Sequence, residues 1–299
     1  MLTKTELKIF IHLDEQKTIS QIADGLDLSV PTISKYVSLS IDEHNGILQK
    51  NKMKRKVFVS RANTTHANLL TSILTEFPRW DVPELFSYSN LKVASIMNDP
   101  KRIKDIAFIT DLSRQQVKNC LNTLSKVAIV TKKDNKYSLN PSHKLINDFI
   151  KTYFANRNEN RLKDKTPDGM ILWGRGFEYL FKTKKTMNEQ KTAVSVFHEY
   201  DLPLMSDKTY YFHTGRNLDA EDHILQTILI DQESITYNTY AALLYQKTKP
   251  DSLIERAVLY GLEEHVSAML DLLKTKTPKA DYLPPWEEYR TIAEDYGVI

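Results

Sequence analysis

Five cations crowd one short stretch of the chain. Lys50, Lys52, Lys54, Arg55 and Lys56 stand within seven residues with no acid among them, and a thinner group follows at Lys132, Lys133 and Lys136. Upstream of each group lies a set of hydroxyl, carboxamide and cationic side chains: Ser29, Thr32 and Lys35 before the first, Arg114, Gln115 and Lys118 before the second. Lysine and arginine neutralise phosphate, while hydroxyls, carboxamides and arginine also reach base edges, so the chemistry on offer is non-covalent recognition of a nucleic acid. Covalent chemistry has thinner support. Gly174-Arg175-Gly176 supplies two of the three glycines of a dinucleotide fingerprint, with no helix or acidic ribose partner in register. His198-Glu199 and Asp222-His223 are sequence neighbours, and on a helix neighbours point about 100° apart, so neither pair forms a metal site alone. An enzyme would need Asp222, His223 and His198 gathered by the fold. There is no G-x-S-x-G, no P-loop and no acid pair on a Gly-Ser turn, and the chain is expected to have no catalytic residue, cofactor or metal.

The elements that would hold these side chains are legible from the apolar spacing. From Thr18 to Val37, Ile19, Ile22, Ala23 and Leu26 recur at helical intervals, Asp27-Leu28-Ser29 breaks the period, and Val30, Ile33 and Val37 begin a second stripe. The spacing predicts helix, tight turn, helix, with Ser29 as the cap of the second helix and Pro31 tolerated in its first turn. Thr32, Lys35 and Ser38 then face outward. The same unit recurs: Lys104 to Leu121 aligns without a gap on Ser20 to Val37 at an offset of 84, with Asp111-Leu112-Ser113 on Asp27-Leu28-Ser29. A repeat of this size is a duplicated structural unit. Its outward residues are Arg114, Gln115, Lys118, Asn119 and Asn122.

Both copies continue alike, through an apolar pair (Ile47-Leu48 or Ile129-Val130), a basic turn and a strand-like run (Lys56 to Val59 or Lys136 to Leu139). Here the first half of the chain resembles the winged-helix transcriptional regulators of bacteria and archaea, of the MarR and ArsR kind. The resemblance implies a double-stranded DNA partner, a recognition helix in the major groove and hairpin cations on flanking phosphates. Whether the second copy meets DNA or a protein stays open, because such units serve both uses. Two-fold operators make a homodimer the expected state.

At 299 residues, 41% hydrophobic and 26% charged, the chain predicts an ordinary soluble protein of two or three domains. No apolar run is long enough for a bilayer and no targeting segment opens the chain, which predicts a cytoplasmic protein without membrane contact. Cys120 is the sole cysteine, which rules out an internal disulfide and predicts a small buried residue on the second recognition helix. The expected domains are 1–62, a first winged helix; 63–155, a second with flanking helices over Thr64 to Phe77 and Ser142 to Ala155; a linker at 156–168, where Leu162 is the one apolar residue; and 169–299.

The last segment reads as strands at Met170 to Trp173, Phe177 to Phe181 and Lys208 to His213, a helix over Thr192 to Tyr200, and helices from Asp219 onward. The expected fold class is therefore α+β, mainly α: two winged-helix units and an α+β carboxy-terminal domain. The order of Thr192-Ala193-Val194-Ser195 on a helix, a strand ending at His213-Thr214, and Asp219-Ala220-Glu221-Asp222 opening a bundle resembles the carboxy-terminal domain of AbiEi-type antitoxins. That resemblance implies an autorepressor whose second half binds a toxin or another protein, as an alternative to a plain DNA-binding repressor.

Overall fold

The computed structural model describes residues 1–53, 56–204 and 206–299. The chain is α+β with helix predominating, and it divides into two compact units, 1–165 with 175–177 and 166–174 with 178–299. Among the described residues no helix is long and apolar enough to cross a membrane.

The first unit opens with α1 (Lys4–His12), β1 (Lys17–Thr18), α2 (Ile19–Leu26), α3 (Val30–Asp42), β2 (Leu48–Met53) and β3 (Lys56–Arg61). α4 (Thr65–Glu76) and the single turn α5 (Val82–Leu85) lead into α6 (Tyr88–Ala94), α7 (Ile103–Thr110), α8 (Arg114–Ser125), β4 (Val130–Lys133), β5 (Lys136–Leu139) and α9 (Lys144–Lys165). The duplication runs deeper than the aligned stretch. α1 and α6, α2 and α7, and α3 and α8 each start 84 residues apart, whereas the hairpin strands start 82 and 80 apart. The second copy is thus shorter by two residues before its hairpin and by two more within it. Even the third strand is repeated: Lys17 pairs with Val59, and Lys101, 84 residues on, bridges Tyr137.

Local chemistry fixes each turn. Thr18 caps α2 in a reciprocal box with Gln21, as Ser113 caps α8 with Gln116, and the Ser29 hydroxyl accepts from the Thr32 amide. The residue that ends the first helix of each hairpin is an aspartate in the left-handed region, Asp27 at φ 51° and Asp111 at φ 53°. Aspartate is among the few side chains that enter that region readily, which is why both turns carry it.

Two expectations need correction. The stretch 156–168 is not a linker up to its last residues, because α9 continues to Lys165 and the unit boundary falls after it. Loss of apolar residues marked an exposed face instead. Asn, Arg, Glu and Lys sustain a helix when one side still packs, and Arg157, Asn158 and Leu162 are buried here while Lys163 pairs with Glu159 on the outside. Nor does Ser142 cap α9; its amide instead donates to the Asn140 side chain.

α4 buries Ala67, Leu70 and Ile73 and runs antiparallel along α9. The His66 and Tyr153 rings meet at one end with centroids 5.8 Å apart, and those of Phe77 and His143 at the other, also at 5.8 Å. The two copies are therefore joined through the helix that follows each hairpin. A buried polar knot ties α9 to the first copy: Asn45 donates to Glu6 at 2.7 Å, Tyr153 donates to Asn45 Oδ1 at 2.9 Å, and Arg157 donates to Glu43 at 2.9 Å.

The second unit holds β6 (Met170–Arg175), β7 (Glu178–Thr183), β8 (Gln190–Lys191), a 3-10 helix (Ala193–Tyr200) and β9 (Thr209–His213), then α10 (Ala220–Ile228), α11 (Ile235–Thr248), α12 (Leu253–Tyr260), α13 (Glu263–Thr275) and α14 (Trp286–Asp295). The sheet order is β6-β7-β9-β8, with Leu180 opposite Phe212 across an antiparallel pair. Leu180, Tyr210 and Phe212 share one core with Ile224, Leu225 and Leu244 of the helices. The helix expected over 192–200 is a 3-10 helix over Ala193–Tyr200. It starts at Ala193, a residue at φ 51°.

Candidate nucleic-acid interface

α3 and α8 are each held by an apolar stripe that leaves the opposite side bare. On α3 the buried residues are Ile33, Val37 and Ser40, and at 100° per residue the diametrically opposite line carries Pro31, Lys35, Ser38 and Asp42. Thr32 is half-buried, with its hydroxyl 2.7 Å from that of Ser29. Ser38 is engaged too, accepting from Lys50 of β2 at 2.8 Å. Of the three residues expected to present polar groups from this helix and its cap, Ser29, Thr32 and Lys35, the first two are bonded to each other and Lys35 is exposed.

α8 is different. Val117, Cys120, Leu121 and Leu124 are buried, which places Cys120 where the sequence predicted. Burial raises its thiol pKa. The side facing away presents Gln115, Lys118, Asn119 and Asn122, with Arg114 at its amino end, and all five are exposed. Gln115 donates to Asn119 one turn on at 3.0 Å.

The hairpins carry the cations. In β2 and β3, Lys50, Lys52 and Lys56 are exposed; Lys54 and Arg55, named with them from the sequence, lie outside the described residues. In the second hairpin Lys132, Lys133 and Lys136 are exposed. Its turn residues Asp134 and Asn135 both have positive φ, 49° and 59°, the backbone that a two-residue hairpin turn requires. Lys133 sits directly opposite Lys136, a like-charge cross-strand pair that weakens a hairpin in isolation and concentrates positive potential at its tip. Lys132 lies over the Tyr137 ring at 5.5 Å.

Charge divides between the units in a way that the chain total of +3 conceals. The first unit has 28 lysines and arginines against 17 aspartates and glutamates, a net +11, and the second has 13 against 21, a net −8. Counting by domain would have exposed this from the sequence.

The second unit gathers its titratable groups into a buried knot. Arg216 donates to both oxygens of Asp222, at 2.5 and 2.7 Å, Arg256 lies 3.0 Å from the same carboxylate, and Tyr260 donates to it at 3.0 Å. Burial opposes ionisation of Asp222, but the two guanidiniums outweigh it and hold its pKa at about 2. Burial and the adjacent Asp222 together raise Asp219, which Arg256 also binds. The trio weighed as an enzyme centre is arranged otherwise: Asp222 is committed to arginines, His223 Nδ1 bonds the Thr192 hydroxyl at 3.0 Å, and His198 is exposed. Among the described residues no group of three His, Cys, Asp or Glu side chains could hold a metal ion. Arg216, Arg256 and Tyr260, which complete the knot, carried no signal in the sequence, because they come from a loop and a helix far apart in the chain.

A family model described as HVO_2833_C, C-terminal, matches residues 187–298, a stretch that falls within the second unit. No curated protein matches the chain.

Proposed function

We propose that the chain is a sequence-specific double-stranded DNA-binding protein, a cytoplasmic transcriptional regulator acting as a repressor, and not an enzyme. The observation that carries this reading is the charge division: the unit bearing both exposed helices and both basic hairpins has a net +11, and the other −8. Helix-turn-helix pairs with hairpin cations beside them match the demands of a groove flanked by phosphates. The chain carries two such helix pairs, and in this reading one chain meets two half-sites without the homodimer expected from the sequence. In this reading the winged-helix resemblance describes both copies.

Salt tests the reading. Binding of the full chain to a labelled duplex should weaken steeply as salt rises, and Lys50→Ala, Lys52→Ala and Lys56→Ala should each lower the slope of log affinity against log salt by about one. A flat response removes DNA from the reading. A second reading concerns the carboxy-terminal unit alone. Its negative charge repels phosphate and favours a basic protein partner, in keeping with an antitoxin-like role.

A further inference from the structure

The two copies share a fold and differ in what they present. On α3 the line opposite the core runs Pro31, Lys35, Ser38, Asp42: one cation, a proline with no donor, a hydroxyl already held by Lys50, and an acid that repels phosphate. On α8 the corresponding line, 84 residues on, carries Gln115, Asn119, Asn122 and Lys126, three carboxamides and a lysine, all exposed, with exposed Arg114 and Lys118 beside it. Gln116, which could have joined them, is spent on the cap with Ser113.

The Gln115–Asn119 contact gives this face a direction. With Gln115 Nε2 donating to Asn119 Oδ1, the Gln115 carbonyl and the Asn119 amino group remain available on adjacent turns. One acceptor beside one donor complements the major-groove edge of adenine, whose N6 amino group donates and whose N7 accepts. Arg114 and Lys118, which run along one flank of this pair, suit guanine or phosphate. The balance of cations runs the other way, since the sequence has five over positions 50–56 and three over 132–136.

We infer that the copies divide the work. α8 reads bases, with Gln115 and Asn119 specifying an adenine, while α3 and the β2–β3 hairpin grip phosphate with little regard to sequence. The division rests on the DNA-binding reading above. It is open to this chain because its two readers are joined through α4 and α9 and need not be identical, as those of a homodimer must be.

The test selects bound duplexes from a random pool with the full chain, then measures affinity for the selected site and for an unrelated duplex at one low salt concentration. Gln115→Ala with Asn119→Ala should erase preference at one adenine position and lower affinity for the selected site by about 10- to 100-fold, leaving the unrelated duplex within about 3-fold. Lys50→Ala with Lys52→Ala should lower both affinities alike and leave the selected sequence unchanged. The result that overturns the division is base preference surviving the α8 pair, or vanishing instead with Thr32→Ala and Lys35→Ala. If the unaltered chain binds neither duplex, the DNA-binding reading fails with it, which is a different outcome from bound DNA whose preference ignores α8. All four side chains on α8 and β2 are exposed, and circular dichroism of each variant confirms that loss of binding is not loss of fold.

Discussion

Asp222 answers two guanidiniums, the buried Arg216 and the partly buried Arg256, with one carboxylate, and its removal should be felt beyond its own hydrogen bonds. Asp222→Asn leaves Arg216 and Arg256 without that counter-charge, and a broken buried pair typically costs about 3 to 5 kcal/mol. Chemical denaturation of the full chain at neutral pH measures it. The pH dependence has a definite sign. The folded pKa of Asp222, about 2, lies below its ordinary 3.8, so its contribution is complete above pH 4 and is lost as pH falls toward 2, a term of about 2 kcal/mol. The Asn variant should therefore lie well below the unaltered chain at pH 6 and approach it near pH 2; a constant gap would contradict the assignment. Histidine adds a second window: burial lowers His66 and His223, so both favour the fold while neutral and should cost stability below their ordinary pKa of about 6.5. The sequence paired Asp222 with His223 by adjacency, but adjacency on a helix separates side chains, and the true partners are set by tertiary packing.

At the scale of elements, local chemistry was legible and packing was not. The Asp-Leu-Ser turns were readable because a cap and a left-handed residue act within a few positions of themselves. α9 was misread past Ala155 because its later turns bury Arg157 and Asn158 where an apolar stripe would be sought. α4 was visible as an apolar helix, and its partner only in the structure. If the α4/α9 pair joins the copies, damage there should spread to both. Leu70→Ala, at a fully buried position, should cost about 2 to 5 kcal/mol, and hydrogen exchange should quicken in α3 and α8 together. Quickening in α3 alone would show that the copies are held independently.

For the whole molecule, the net +3 concealed a difference of 19 charges between the units, +11 against −8. Averaging over the chain hid this division, which a boundary at either end of the stretch 156–168 also brings out. The α4/α9 pairing has a further consequence, for how occupancy follows abundance. A regulator that must associate before it binds is occupied in proportion to the square of its concentration when dilute, and it falls off DNA abruptly as it is diluted below its dimer dissociation constant. Under the DNA-binding reading, the second reader of this chain arrives with the first, at an effective concentration fixed by covalent connection. Titration of the full chain onto a single selected site should saturate at one chain per duplex with a Hill coefficient of about 1, and a coefficient near 2 would mean that a second copy is needed. Under the repressor reading, shut-off would then be graded, each added molecule lowering expression by its own share with no threshold to cross.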